Sequence, residues 1–186
     1  MDIDSIVHLA SRIHGHCTTE SEIRRLVQIA ARSKYVAEVG CYMGRTTKAL
    51  SLAAFGGLYA VDTWQGSAED SEGEKTKQVS PEELYRRFIV NLWDEIQLGK
   101  ILPLRCDSVE GAKILGELGY TFDMIFLDAG HDYEWVTRDI IAWLPLLNEG
   151  GVMVGHDLPH PRMEEALNEY LPGWKPSVGM LWEYEK

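Results

Sequence analysis

The stretch from Phe122 to Asp157, FDMIFLDAGHDYEWVTRDIIAWLPLLNEGGVMVGHD, decides the fold. Phe122, Met124, Ile125, Phe126 and Leu127 form a short apolar run interrupted only by Asp123, the signature of a strand covered on both faces of a parallel sheet. Tyr133, Val136, Ile140, Leu144 and Leu147 then recur at helical spacing, which predicts an amphipathic helix stopped by Pro145 and the Gly150-Gly151 pair. Val152, Met153 and Val154 resume the apolar run. The result is a strand-helix-strand unit with a right-handed crossover, and its two strands end on one edge, where open α/β sheets bind ligands. Asp128 should therefore neighbour His156 and Asp157 in space, although 29 positions separate the two aspartates.

The same alternation runs along the whole chain. Thr19 and Glu22 make a capping box before Ile23, Leu26, Val27 and Ala30, a helix that covers a sheet face or joins a dimer interface. Strands are predicted at Tyr35 to Val39, Leu58 to Val61 and Ile101 to Arg105, with helices at Thr46 to Phe55 and Val109 to Leu118. Ser80, Pro81 and Glu83 open another helix, in which Leu84, Phe88, Leu92 and Ile96 face the core until Gly99 ends it. Met163 to Tyr170 reads as a further helix, and Met180 to Tyr184 as a final strand after a PGWKPSVG turn region. Residues 63–80 are polar and carry no apolar period, which marks a lid-like functional loop. All 186 residues form one α/β domain, with residues 1–33 as an N-terminal helical extension.

Composition bounds the function. The 45% apolar and 25% charged content is that of a globular protein, and a formal net charge of -11 opposes phosphate-backbone binding, favouring a small-molecule partner over nucleic acid. No apolar stretch approaches the roughly 18–20 residues of a membrane span, and the N-terminus lacks a signal-peptide pattern, so the expected location is the cytoplasm. Cys17, Cys41 and Cys106 show no paired spacing and are expected to be reduced.

The segment EVGCYMGRTT follows the first strand and opens a helix, with Glu38, Gly40 and Gly44 spaced E-x-G-x-x-x-G. Glycines permit a sharp turn and close approach to a ligand, which implies a nucleotide-type cofactor; the same residues could also form an ordinary tight turn. The loop departs from the GxGxxG dinucleotide fingerprint at Tyr42 and Met43, which disfavours an NAD-type oxidoreductase. Asp62 ends the second strand 24 positions after Glu38, near the roughly 20-residue interval at which an acid reaches a ribose diol. Asp107 and Ser108 add a polar tip after the third strand, suited to an adenine amine or to helix capping. His131, three residues past Asp128, has the titration range of a general base.

On EVGCYMGRTT, YAVDTWQGS, FLDAGHDYEWVTRDI and LLNEGGVMVGHD, the chain resembles class I S-adenosylmethionine-dependent methyltransferases, in the small branch related to macrocin O-methyltransferase and cephalosporin hydroxylase-like proteins. The resemblance runs from about Tyr35 to the C-terminus. It implies a Rossmann-like sandwich whose seven-stranded, mostly parallel sheet has an antiparallel last strand and helices on both faces. It further implies S-adenosylmethionine as cofactor, with Glu38, Gly40, Tyr42 and Gly44 along its methionine moiety and Asp62 on the ribose. Asp107 and Ser108 would meet adenine, Thr63 and Trp64 would lie beside it, and Asp128 would touch the cofactor edge. Tyr42 stands where the commoner loop has a middle glycine.

Related O-methyltransferases hold a divalent ion at the fourth and fifth strand ends, here Asp128, His156 and Asp157; oxygen ligands suit Mg, and a histidine admits Mn. The alternative is that Asp157 caps the following helix. Asp128 and His131 are then the candidate catalytic groups, and O-methylation of a small polar or sugar-like metabolite is the expected reaction. A cofactor-binding partner protein without catalysis remains the reading from another class. Apolar helix faces near the N-terminus leave a homodimer open.

Overall fold

A computed structural model of the chain describes residues 1–14, 18–65, 79–130 and 132–186. His131 and most of the 63–80 loop lie outside the described residues, so the base and lid expectations are not addressed by it.

Five parallel strands form the sheet's centre: β1 (Tyr35–Val39), β2 (Gly57–Asp62), β3 (Ile101–Arg105), β4 (Phe122–Leu127) and β5 (Leu147–Gly155). A two-residue strand β6 (Lys175–Pro176) and the final strand β7 (Trp182–Glu185) complete the order β3-β2-β1-β4-β5-β7-β6, with β7 antiparallel to both neighbours. The seven-stranded architecture expected of the family is therefore present, and β6 occupies part of the segment read as a turn. Strand order reverses between β1 and β4, the switch point where α/β sheets leave a crevice.

Alternation along each strand explains why both faces need helices. Val36, Met124, Phe126 and Val154 belong to one core with Leu26 and Ile29 of α2 (Glu20–Ala30), Leu50 of α3 (Arg45–Ala53) and Phe88 of α4 (Pro81–Asn91). Ala37, Val39, Ile125, Leu127 and Met153 point the other way, towards α6 (Ser108–Glu117), α7 (Tyr133–Trp143) and α8 (Pro161–Tyr170). The first helix, α1 (Ile3–Ser11), lays Ile6, Val7 and Ala10 over Ile23 and Val27 of α2. The apolar N-terminal faces that suggested a dimer are thus buried within the chain. α1 and α2 pack over α3 and one face of the sheet.

Three expected boundaries move. The helix from Pro81 breaks at Leu92, whose backbone leaves the helical region, and a short α5 (Trp93–Gln97) follows. Leu144 to Leu146 form a 3-10 turn and Leu147 opens β5, so neither continues α7. Gly150 and Gly151 lie inside β5 and stop nothing; the pairing shifts register there, between Phe122 and Met124. Asp123, the polar break in the apolar run, accepts hydrogen bonds from the Lys34 and Tyr35 amides at 2.8 and 3.1 Å and from the Asn148 side chain at 2.8 Å. It pins the start of β1 to β4 and β5. No helix among the described residues is long and apolar enough to cross a membrane.

Candidate active site

The strand tips line up because the ladder continues one residue past each strand. Val39 pairs with Val61 and Leu127, and Leu127 pairs with Gly155. Beyond them, Gly40 N donates to Val61 O at 3.0 Å, Asp128 N to Val39 O at 2.8 Å, and His156 N to Leu127 O at 3.3 Å. Main-chain bonds thus place Gly40, Asp62, Asp128 and His156 along one edge.

At the β1 tip, Gly40 has φ +88°, and a Cβ there would stand 2.1 Å from Asp128 O, so only glycine allows β1 and β4 to close together. Gly44, also left-handed, heads α3 with Leu92 packed against it; a Cβ would meet Leu92 Cδ1 at 2.6 Å. Between them Tyr42 holds φ +47°, a conformation that a bulky side chain adopts only when its surroundings impose it. Those surroundings are Asp62 and Trp64. Asp62 Oδ2 accepts from Cys41 N and Tyr42 N at 2.8 and 2.9 Å, its Oδ1 accepts from Trp64 N at 2.7 Å, and Trp64 Nε1 donates to Tyr42 O at 2.7 Å. Asn91 on α4 adds a bond to Met43 O at 2.9 Å, a contribution that carried no motif.

Trp64 packs on its protein neighbours. Its indole is buried against Tyr85 and Phe88, with centroids 4.6 and 4.8 Å away, so it braces the glycine loop from within the core. Thr63 heads the next turn, its hydroxyl accepting from Gln65 N at 3.2 Å. At the β3 tip, Asp107 caps α6 through Val109 N at 3.0 Å and pairs with Arg138, while Ser108 Oγ accepts from Trp143 Nε1 at 2.9 Å. Asp107 thus caps its helix, as in the alternative stated above, while Ser108 ties α6 to α7.

Glu38 is fully buried and its carboxyl oxygens have no hydrogen-bond partner among the described residues. Burial pushes this carboxyl well above the usual range; the Thr47 hydroxyl nearby opposes the shift without completing a bond, and the Asp128 and Asp62 charges reinforce it. A buried acid of this kind is a ready acceptor for an incoming cationic or N–H group. The adjacent Cys41 thiol is pushed up by burial and by the Glu38 and Asp62 charges, which leaves it inert at neutral pH.

Asp128, His156 and Asp157 do come together. His156 Nδ1 lies 3.0 Å from Asp157 Oδ1 and 3.8 Å from Asp128 Oδ1, and one donor atom from each residue falls within 4.8 Å of the others. Asp157 has φ +73°, and α8 is headed by His160, so Asp157 does not cap that helix. The His156 ring is completely buried, which alone would lower its pKa; the hydrogen bond to Asp157 and the charges of Asp128, Asp157 and Glu22 outweigh burial and raise it to about 9. Two carboxylate oxygens and an imidazole nitrogen within one ion's reach fit a divalent cation, and the nitrogen suits Mn better than Mg.

A small cavity beside these tips is lined by Ala129, Gly130, Asp139, Asp157, Met163 and Trp182. Sequence reasoning missed Asp139: it is buried on α7, and desolvation lifts its carboxyl to about 6 despite Ser108 and Arg138. Its signal was its spacing, since residue 139 falls on the same stripe as Val136, Ile140 and Trp143.

Residues 37–158 match a family model described as a methyltransferase domain, and the chain belongs to that family. It is a class I, S-adenosylmethionine-dependent methyltransferase, which sets aside the oxidoreductase reading. Solved structures share the fold at low identity. TomG, an O-methyltransferase from Streptomyces achromogenes crystallised with S-adenosylmethionine, is 13% identical, with a TM-score of 0.66 over 99% of this chain and 89% of its own. An O-methyltransferase from Bacillus cereus in complex with S-adenosylhomocysteine is 14% identical, with a TM-score of 0.64 over 99% and 90%. A putative O-methyltransferase from Klebsiella pneumoniae is 13% identical, with a TM-score of 0.65 over 99% and 89%.

Proposed function

We propose that the protein methylates an oxygen of a small polar acceptor, with the cofactor over the β1, β2 and β3 tips and the acceptor over β4 and β5. The observation that carries this reading is the continuous row of Gly40, Asp62, Asp128 and His156 held by main-chain bonds across the switch point. Glu38 and the loop from Gly40 to Gly44 border the methionine moiety, where Glu38 is a buried acceptor for its amino group. Asp62 keeps lone pairs beyond its three amide contacts for the ribose diol. Asp107 marks the adenine end of the groove.

Methyl transfer forms a carbon–oxygen bond as the carbon–sulfur bond breaks, so the sulfonium leaves as a neutral thioether and the acceptor hydroxyl loses its proton. Alignment supplies much of the acceleration, and the rigid strand tips supply the alignment. Asp128, between the cofactor half and the acceptor half, is placed to orient the hydroxyl or take its proton, and His131 is the other proposed base. A divalent ion held by Asp128, His156 and Asp157 would lower the acceptor hydroxyl's pKa. TomG, an O-methyltransferase involved in tomaymycin synthesis, and CalS11, a calicheamicin methyltransferase, are consistent with such an acceptor.

Calorimetry with S-adenosylhomocysteine, followed by methyl transfer to a panel of hydroxylated metabolites with and without chelator, tests the reading. Cofactor binding with oxygen methylation that chelator suppresses is the expected outcome. Methylation of nitrogen or carbon acceptors alone would displace the oxygen assignment, and chelator-independent turnover would remove the metal.

A further inference from the structure

Glu22 lies on α2, outside the residues that match the family model, yet its side chain is 1% exposed and ends beside His156. Its Oε2 accepts from Thr19 N at 2.6 Å and Thr19 Oγ1 at 2.7 Å, which is the capping box of α2. Its Oε1 is engaged elsewhere, accepting from Met180 N at 2.7 Å and standing 3.4 Å from His156 Nε2. The 3.4 Å contact is electrostatic, short of a formed hydrogen bond, and no other acceptor serves Nε2 among the described residues. Space for the carboxylate is built in. Gly179 has φ +64°, and a Cβ there would fall 2.2 Å from Glu22 Oε1.

Carboxylates flank both ring nitrogens; with a cation held between Asp128 and Asp157, Nδ1 is the nitrogen that would give up its proton to the ion, while Nε2 keeps its own beside Glu22, whose oxygens only accept. The lone pair then sits on Nδ1, at the opposite edge, which faces Asp157 Oδ1 at 3.0 Å and Asp128 Oδ1 at 3.8 Å. Metal-binding histidines are commonly fixed in this way by a carboxylate on their other nitrogen.

We propose that Glu22 is the positioning residue of the β4–β5 cation site: it orients His156 from α2, so that Nδ1 joins Asp128 and Asp157 in holding a divalent ion. The proposal rests on the metal reading above. It makes the N-terminal layer part of the site, although the site's chemistry lies more than a hundred residues further along the chain.

The test titrates Co²⁺ alone into the full-length protein and follows the visible d–d bands. Wild type binds; Glu22→Gln weakens Co²⁺ by roughly 10- to 100-fold and alters the bands, while S-adenosylhomocysteine affinity is unchanged. Ser80→Ala, which removes the cap of α4 and touches no residue of this cluster, lowers the melting temperature but keeps Co²⁺ affinity within about twofold. Should Glu22→Gln fail to fold, ¹⁵N NMR of Zn²⁺-loaded wild type reads the ring directly, with Nε2 protonated and Nδ1 on the metal. Equal Co²⁺ affinity in wild type and Glu22→Gln, or a metal on Nε2, overturns the role of Glu22 and leaves the metal site standing. Absence of Co²⁺ binding in wild type removes the site and this proposal together.

Discussion

Gly40 carries two independent constraints, a left-handed backbone and a main-chain carbonyl 2.1 Å from where a Cβ would be. Backbone cannot swing aside as a flexible side chain can, so Gly40→Ala should destabilise the domain by at least about 2 kcal/mol in urea melts. A midpoint equal to wild type would contradict the close approach of β1 to β4. His156 gives the second residue-scale prediction. Its pKa is raised from 6.5 to about 9, so the native state binds a proton more tightly than the unfolded chain across that interval. The contribution is complete below about pH 6.5 and is lost as pH rises through about 9. Urea midpoints in chelator should therefore fall between about pH 6.5 and about pH 9, and His156→Gln should flatten that fall; an unchanged slope in the variant would assign it elsewhere. Much of this chemistry was open to sequence reasoning, because Asp62, Asp128, His156 and Asp157 each follow an apolar run. Asn91 was not, and Glu22 was legible only as a helix cap, since their partners at the site lie far away in sequence; Asp139 left only its place on the buried stripe of α7.

Among the elements, the loop between β1 and α3 depends on its neighbours more than on itself. Tyr42 is kept left-handed by the Asp62 carboxylate on one side and by the Trp64 indole on the other. Trp64→Phe keeps the aromatic packing on Tyr85 and Phe88 but deletes the N–H donor to Tyr42 O. The expected result is a loss of about 1–2 kcal/mol in stability and a severalfold weaker S-adenosylhomocysteine affinity by calorimetry. Unchanged affinity would show that the loop holds its shape without the indole bond. The periods that predicted β4, α7 and β5 served well where one face was buried throughout. They failed at Leu144 and Leu147, where helix and strand both wanted a buried leucine and Pro145 settled the boundary. The break at Leu92 was equally hidden: the apolar spacing continues across it, and Leu92 packs on Gly44, 48 positions earlier.

On the scale of the molecule, the sheet needs its N-terminal cover. Ile23, Leu26, Ile29 and Ala30 are essentially inaccessible, and Arg25 forms a two-pronged pair with Glu183 of β7 at 2.7 and 2.6 Å. A chain of residues 34–186 keeps every motif of the methyltransferase family but exposes one face of β1, β4 and β5. It should lack a cooperative thermal transition by circular dichroism; a sharp transition near the full-length value would restore these residues to a detachable extension. The overall topology was legible because the strand-helix alternation admits few arrangements, whereas for α2 the sequence left open whether it covers the sheet or joins a dimer, since an amphipathic helix suits both.

Where the ladder continues past each strand, it is main chain that fixes Gly40, Asp128 and His156 in their places. The Asp128 and His156 positions behave as sockets in a rigid board, each able to take a different side chain without disturbing the spacing of the others, whereas Gly40 is the fixed seam between them and β2. Evolution of a new preference, for another ion or another acceptor, can then proceed by exchanging plugs one at a time. The histidine at the β5 socket is wired back to the second helix of the chain, through Glu22.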